Sequence, residues 1–316
     1  MTTTTTLPKG KTIQTKTPEQ FHQIRSKGIG ASEISAILGI DPYMTPFKLW
    51  QKKTGRLDRD PDNMFTRAGH KLENAVAEYF EEETGNHVIK KTAGTYAVFH
   101  PVYDFIFCHP DREYFMQGTK KRGVLECKTT QKKIDKDAAP ETWLCQMMYQ
   151  MGILGYDIGS FAWLERGLVF DYLEYMANYE LYDFMIERAG EFWTNNVLKD
   201  IPPDPIRSSD IEALYEKSAA GKAMQASDEM LDVYSRMVDV KRTIKALESE
   251  YDNMAENVKL ALADAEIVVS GEDTLFTWKS HTANRLDQKK LKAEFPDIAG
   301  TCMTESNYRS FLIKGV

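Results

Sequence analysis

The chain has 316 residues, of which 42% are hydrophobic and 28% are charged, and its formal net charge at pH 7 is −7. This length and composition are those of an ordinary globular protein with a substantial buried core. The acidic balance argues against a protein that coats nucleic acid nonspecifically, although basic groups need only line one channel of a more selective protein.

The sequence has no apolar run of membrane-spanning length. Its opening residues, MTTTTT, lack the basic and then apolar order of a signal peptide. The four cysteines show neither a C-x-x-C pair nor a zinc-site spacing, so we expect reduced thiols. These features together predict a cytoplasmic protein that has no membrane association.

The first ordered element is expected near Phe21. Residues 1–18 are rich in Thr and Lys without an apolar period, which predicts a flexible arm. Ser32 precedes an apolar helix pattern, so it is a good cap, and the free amides of a first helical turn attract anions. Capping alone would explain Ser32, and Arg25 could be an ordinary surface arginine.

Two helices are predicted next, one from Thr45 to Gly55 and one from Thr66 to Thr84, which stops at Gly85. Glu73 lies on the apolar stripe of the second helix, because apolar residues follow it at i+3, i+4 and i+7. An ionised carboxylate in that place needs a partner. The alternative is a glutamate at the edge of the stripe whose side chain reaches water.

The stretch 105–130 predicts two short strands joined by a polar turn, after further strands in 88–99. Because side chains alternate across a strand, Glu126 and Lys128 point to one face. If the strands pair, Asp111 can join them. That would give two carboxylates for a divalent cation and an amine beside the bound water. The alternative is a surface Glu/Lys pair on a half-exposed strand.

A helix is predicted from Pro140 to Gly155, with Gln146 and Gln150 on one face, where composition alone makes them a polar edge. A strand pair over 160–172 and a helix over 180–197 follow. The proline cluster at 201–205 then predicts a boundary between a domain at 19–203 and an extension at 204–316.

The extension is predicted to be mainly helical. Its helical pattern over 210–264 fits one long helix or a hairpin broken near Gly221. A β-hairpin over 267–279, a helix over 286–295 and a last strand over 309–313 are expected after it.

Several of these motifs occur together in the order typical of one family. They are R-x-x-x-x-G-A-S ending at Ser32, P-Y-x-T-P-x-x-L-W-x-x-K-T-G ending at Gly55, G-x-x-x-E ending at Glu73, Pro110-Asp111, Glu126-Cys127-Lys128 and the helix glutamine Gln146. From Arg25 to about Trp193 the chain resembles the YqaJ viral recombinase and lambda-exonuclease-type family of PD-(D/E)XK nucleases. The resemblance implies an α/β fold with a central mixed sheet flanked by helices, here with a helical extension that ends in a small β element.

The resemblance also implies roles for individual residues. Asp111, Glu126 and Glu73, with the backbone carbonyl of Cys127, would bind Mg²⁺, for which Mn²⁺ would substitute, and Lys128 would position or deprotonate the attacking water. Arg25, Ser32 and Gln146, together with His109, would hold the 5′-phosphate of a DNA end. His109 departs from the small hydroxyl residue of lambda-type enzymes, and Gln150 stands where many relatives have tyrosine.

The function implied is a Mg²⁺-dependent exonuclease that degrades the 5′ strand from double-stranded DNA ends and leaves a 3′ single strand. Its implied partners are a single-strand annealing protein and further copies of the chain in a ring trimer. Two alternatives stay open at this point. One is a structure-specific or restriction-like endonuclease on the same fold, and the other is a non-catalytic DNA-end or partner-binding module.

Overall fold

The computed structural model describes residues 10–15, 18–58, 61, 63–89, 95–137, 139–215, 217–219, 221–304 and 308–315. The chain divides into two compact units, Met1–Ile211 and Glu212–Val316. The boundary predicted from the proline cluster lies shortly before this division. Among the residues that the structure describes, every helix falls short of the length and apolar character that a membrane span requires.

The first unit alternates helices and strands in a mixed α/β order. Its elements are β1 (Lys11–Thr15), α1 (Pro18–Ser26), β2 (Ile29–Gly30), α2 (Ile34–Ile37), α3 (Pro46–Lys53), α4 (Met64–Thr84), β3 (His87–Val88), β4 (Thr95–Phe99), β5 (Ile106–Cys108), β6 (Arg112–Phe115), β7 (Arg122–Thr130), α5 (Glu141–Leu154), β8 (Ile158–Glu165), β9 (Val169–Met176), α6 (Tyr179–Glu191) and α7 (Ser208–Leu214). The predicted end of α4 at Gly85, with φ 68°, is confirmed, whereas the helix begins two residues before the predicted Thr66 because Asn63 caps it.

The central sheet has the strand order β3-β6-β7-β8-β9. Within this sheet β7 and β8 pair in parallel and the other described neighbours pair antiparallel, since α5 carries the chain from the end of β7 to the start of β8. β8 reads IGSFAWLE and is buried from Ile158 to Leu164, as expected of a strand covered on both faces. A second sheet has the order β1-β4-β5-β2. The predicted mixed sheet flanked by helices is therefore confirmed.

The alternation of side chains along β7 separates two hydrophobic cores. Leu125 packs in one core with Val76 and Phe80 of α4. Val124 packs in the other core with Met147 of α5. The residues that follow keep this alternation, so the chain directs Glu126 towards the α5 side of the sheet.

The predicted flexible arm is wrong for the part that the structure describes. Residues 11–15 form β1, which pairs antiparallel with β4 in a register that places Ile13 opposite Ala97. Thr and Ile suit a strand because their branched side chains pack on a pleated surface, and an available strand edge outweighs weak local periodicity. Residues 1–9 and 16–17 of the predicted arm lie outside the described residues.

The second unit contains α8 (Asp228–Leu262), the hairpin β10 (Ile267–Ser270) and β11 (Asp273–Thr277), α9 (Gln288–Glu294) and α10 (Pro296–Thr301). One long helix is therefore present, and it begins after the cap Ser227. The strand predicted over 309–313 is wrong. Residues 308–313 are irregular, and β10 and β11 pair only with each other, so no described strand edge receives the tail.

Candidate active site

A cavity of about 430 Å³ opens where β5, β6 and β7 meet α4 and α5. Seven of the residues predicted to form a site line it: Arg25, Ser32, Glu73, His109, Asp111, Glu126 and Gln146. Lys128 contacts this set by donating hydrogen bonds to Glu126 and Gln146. The sequence pattern thus predicted a set of distant residues that the fold brings together.

Strand pairing explains why two carboxylates are neighbours. The antiparallel register of β6 and β7 sets Arg112 opposite Leu125, which places Asp111 beside Glu126. Asp111 lies just before β6, and its Oδ2 accepts a hydrogen bond of 2.9 Å from the backbone N–H of Cys127. One carboxylate is therefore fixed by the strand that carries the other.

Three side-chain donors hold Glu126. Its Oε1 accepts hydrogen bonds from Lys128 Nζ at 2.7 Å and from Gln146 Nε2, and its Oε2 accepts one from Gln150 Nε2 at 2.9 Å. Both glutamines lie on α5, four residues apart and hence on one face of the helix. Glu126 is only 4% exposed, so its charge is compensated by an amine and two amides rather than by water.

Burial and mutual repulsion dominate the electrostatics of Asp111 and Glu126. Burial, and then the negative charge of Glu126, raises the pKa of Asp111 to about 8, against the opposing effect of Lys128. Burial alone would lower the pKa of Lys128, but the charges of Glu126 and Asp111 outweigh it and raise that pKa. The carboxylates of the cavity therefore lie beside the ammonium group of Lys128, which they stabilise.

This donor set fits a small divalent cation. Mg²⁺ is usually bound through one or two carboxylates while it keeps several waters, and Asp111 and Glu126 supply two hard oxygen ligands. Gln150 Oε1 is a third oxygen in the wall, buried and without a hydrogen-bond partner among the described residues. No group of three or more His, Cys, Asp or Glu side chains in the described ranges is arranged to hold a metal.

Glu73 has a partner that the sequence analysis missed. Arg112 Nη1 donates to Glu73 Oε1, and Arg112 Nη2 donates to Asn74 Oδ1 at 2.5 Å. Arg112 is 7% exposed on the face of β6 that also buries Tyr114 beneath α4. The alternation R-E-Y-F places an arginine on that buried face, and this signal would have predicted a carboxylate partner.

The predicted phosphate motif forms a connected corner of the cavity, although Ser32 is not a helix cap. The backbone N–H of Gly30 donates to Glu33 Oε2 at 2.9 Å at the start of a short 3₁₀ turn. Ser32 is exposed, and Arg25 Nη2 lies 3.4 Å from its Oγ. Glu33 rather than Ser32 satisfies the free backbone amide because its longer side chain can reach back to Gly30.

The backbone of Arg25 is anchored by a lysine that the sequence analysis did not single out. Lys53 Nζ donates to the Arg25 carbonyl oxygen at 2.5 Å and to Glu33 Oε2 at 2.8 Å. The Lys53 side chain is 3% exposed, and burial lowers its pKa against the opposing effect of Glu33. The end of α3 thus positions the end of α1.

His109 stands at the cavity wall in a defined orientation. Its Nδ1 lies 2.8 Å from the carbonyl oxygen of Tyr96, so the proton is on Nδ1 and this nitrogen donates. His70 of α4 also lines the cavity, one turn before Glu73. Nothing in the periodicity of α4 distinguished His70 from a solvent-exposed histidine.

Comparison with known proteins gives the chain a family. Residues 20–157 match the model of the YqaJ-like viral recombinase domain. The "Uncharacterized protein YqaJ" of Bacillus subtilis (strain 168) is 33% identical over 303 residues, which cover 92% of each protein. The chain belongs to the YqaJ-like viral recombinase family. The matched YqaJ-like domain contains every residue predicted to form the site, from Arg25 to Gln146.

Solved structures with a weaker likeness to this YqaJ-like chain include two exonucleases. The alkaline exonuclease LHK-Exo from Laribacter hongkongensis is 16% identical, with a TM-score of 0.45 over 58% of this chain and 94% of that one. A phage related exonuclease from Haemophilus somnus 129PT is 14% identical, with a TM-score of 0.41 over 55% of this chain and 96% of that one.

Proposed function

We propose that the chain is a divalent-cation-dependent deoxyribonuclease that degrades the 5′ strand from double-stranded DNA ends. The observation that carries the proposal is the meeting of Asp111, Glu126 and Lys128 in a cavity that Arg25 and Ser32 also line. Two carboxylates and an amine suit hydrolysis of a phosphodiester, and a basic, hydroxyl-bearing corner suits a terminal phosphate.

Asp111 and Glu126 would hold Mg²⁺, or Mn²⁺ in its place, and the family resemblance adds the Cys127 carbonyl and Glu73. The cation, when bound, would neutralise charge on the phosphodiester and lower the pKa of the attacking water. Because Arg112 already pairs with Glu73, we assign Glu73 a contact with the cation through a water molecule. Gln146 and Gln150 keep Glu126 in one orientation, so the ligand geometry does not have to be rebuilt in each turnover.

Lys128 acts as an ammonium in this scheme. Its pKa is raised by Glu126 and Asp111 despite burial, so it donates hydrogen bonds. We assign it to orienting the attacking water and to stabilising the negative charge that develops on the phosphate. The cation would lower the pKa of the attacking water, and a carboxylate of the site would accept its proton.

Arg25, Ser32, Gln146 and His109 would bind the 5′-phosphate and give the enzyme its polarity. The guanidinium of Arg25 is supported for this role by the anchoring of its backbone through Lys53. By family resemblance, the 3′ single strand would pass to an annealing protein, and copies of the chain would assemble as a ring trimer.

The decisive experiment compares Mg²⁺-dependent digestion of three substrates: linear duplex with 5′-phosphate, linear duplex with 5′-hydroxyl, and covalently closed circular duplex. We expect fast loss of the phosphorylated linear duplex, slower loss of the hydroxyl form and no cutting of the circle. Cutting of the circle would establish the endonuclease alternative, and binding without any cutting would establish the non-catalytic module.

The phosphate corner has its own variant in the same assay. Arg25→Ala should reduce the preference for 5′-phosphorylated ends because the guanidinium charge is lost, while Lys27→Ala, at an exposed lysine nearby, should keep it. An unchanged preference in Arg25→Ala would remove Arg25 from the proposed phosphate pocket.

A further inference from the structure

Helix α8 carries a long apolar stripe with a strict repeat. From Met230 to Ala261, steps of three and four residues alternate without interruption, and every position reached in this way is apolar. A 3.5-residue average repeat is the pattern of a coiled-coil seam, since an ordinary amphipathic helix follows 3.6 residues per turn. At a rise of about 1.5 Å per residue the stripe is roughly 47 Å long.

The stripe is exposed along most of its length. Leu247 is 59% exposed, Tyr251 is 68% exposed and Met254 is 54% exposed. Near the helix start a groove of about 610 Å³ lies between the stripe and the tail residues Phe311–Ile313. A continuous apolar surface of this length on a soluble helix indicates a binding surface rather than scattered exposed side chains.

We propose that this stripe pairs with the same stripe of a second copy of the chain, in an antiparallel two-stranded coiled coil. We call the contact between the two stripes the seam. In the register that sets Ile244 opposite Leu247 of the second copy, every residue of the seam faces an apolar residue. The seam ends where Met230 faces Ala261. This inference goes beyond the nuclease proposal and does not depend on it.

The sizes of the facing side chains favour the antiparallel direction. In that register Tyr251 faces Val240, and Met230 faces Ala261, so large residues meet small ones. In a parallel pair in register, Tyr251 would face Tyr251 of the second copy, and Ala261 would face Ala261. The antiparallel layers therefore have more even volumes and leave smaller voids.

The charges beside the seam favour the same direction. Lys241 and Glu248 each follow a seam residue by one position. In the antiparallel pair Lys241 lies next to Glu248 of the second copy, and the twofold symmetry produces this ion pair twice. In a parallel pair Lys241 would instead lie next to Arg236 of the second copy, and the two cations would repel each other.

The groove beside the tail fits this arrangement. Val240 and Met237 line it, and the antiparallel register places Tyr251 and Met254 of the second copy opposite these two residues. Phe311 is 82% exposed and borders the same groove, so it would cover the incoming side chains. The tail would then form part of the interface between the copies.

The test measures the mass of the particles that the full chain forms at micromolar concentrations, by sedimentation equilibrium and light scattering. We expect particles that contain an even number of chains: two where no ring forms, and six where the stripes join two of the proposed ring trimers. Lys241→Glu should weaken the pairing by about tenfold, because two attractive ion pairs become repulsive. The double variant Lys241→Glu/Glu248→Lys should restore it, since the charges are only exchanged.

Arg242→Glu is the matched control, because it makes the same charge change on the opposite face of α8 and should leave the pairing unchanged. Circular dichroism shows whether each variant keeps its helix. A single-chain particle at all concentrations would mean that the tail or another protein covers the stripe, and an odd number of chains would exclude the pair. Tighter association in Lys241→Glu would indicate the parallel arrangement. Each of these three results overturns the proposal.

Discussion

Glu126 is a buried charge that the proposed chemistry requires. Lys128 and two glutamines of α5 bind its oxygens, and Asp111 is close enough for the charge of Glu126 to raise its pKa. Replacing such a cluster with apolar residues of similar volume is often neutral or stabilising in proteins. The cluster is thus better explained by cation and phosphate binding than by stability.

The role proposed for Lys128 gives a test at this scale. In Lys128→Ala the ammonium beside Glu126 is lost, so turnover on duplex ends should fall by at least about 100-fold while end binding is retained. Cleavage in Mg²⁺ and end binding in Ca²⁺ are the two measurements. Lys133→Ala, at an exposed lysine after β7, is the control and should keep its turnover. Cleavage that survives in Lys128→Ala would contradict the assignment.

The raised pKa of Asp111 predicts a pH-dependent stability. The folded pKa is about 8, and the unfolded value is about 3.9. Between these values the folded chain binds more protons than the unfolded chain, so the Asp111 contribution to stability is present at low pH and is lost as pH rises towards 8. Asparagine cannot ionise and can still accept the hydrogen bond from Cys127.

We therefore expect a pH-dependent difference in Tm when a metal chelator is present. The Tm of Asp111→Asn minus the Tm of the wild type should increase from about pH 4 to about pH 8 and then level off. Thermal unfolding followed by circular dichroism measures this difference. The same substitution at Asp104, which is exposed, is the control. Added Mg²⁺ should stabilise the wild type and not Asp111→Asn. A difference that stays constant or shrinks as the pH rises would show that Asp111 is not held in this environment.

At the scale of elements, a side chain at the end of one helix holds the end of another helix in place. Thr45 accepts from the backbone N–H of Lys48 and so caps α3, while its Oγ1 donates to Asp210 Oδ1 of α7 at 2.6 Å. Asp210 Oδ2 also accepts from the backbone N–H groups of Ile206 and Arg207. One buried carboxylate therefore joins the start of α7 to the start of α3.

Asp210→Ala should destabilise the first unit by about 2–4 kcal/mol, because a hydroxyl and two amides lose their acceptor in a buried place. Urea unfolding measures this change. Ser209→Ala, at the exposed neighbouring position, is the control and should stay within about 0.5 kcal/mol of the wild type. A change in Asp210→Ala no larger than that of the control would mean that the Asp210 contacts do not stabilise α7.

At the scale of the whole molecule, the chemistry and the assembly surface fall in different units. Every proposed active-site residue lies within Met1–Ile211, whereas the apolar stripe of α8 lies within Glu212–Val316. Both hydrophobic cores lie within the first unit, whereas the described part of the second unit buries three hydrophobic residues, Val238, Leu262 and Ala299. The division predicts that catalysis and pairing of copies can be separated.

A chain that ends at residue 215, just after α7, should therefore fold cooperatively and keep cation-dependent cleavage of duplex ends, while it loses association through α8. Unfolding cooperativity, cleavage and particle mass are the three measurements. The full-length Leu247→Glu variant is the comparison, because it breaks the seam without removing any chain. A truncated chain that does not unfold cooperatively would show that the second unit supports the fold of the first.

The order and type of most elements follow from local signals. Gly85 ends α4 as predicted, and alternation along β7 places Glu126 and Lys128 on one face. These features depend on residues that are close in sequence, so short-range sterics and periodicity are enough to predict them. The motif order likewise predicted the family, and it named residues that the fold brings to one cavity.

Only the tertiary structure decided which distant groups meet. The pairing of Arg112 with Glu73, the contact of Gln150 with Glu126 and the strand formed by residues 11–15 all depend on neighbours far along the chain. Local propensity is the same whether or not such a neighbour is present. The free energy that selects these contacts comes from burial, which requires each charge and each strand edge to find a partner once the elements have packed.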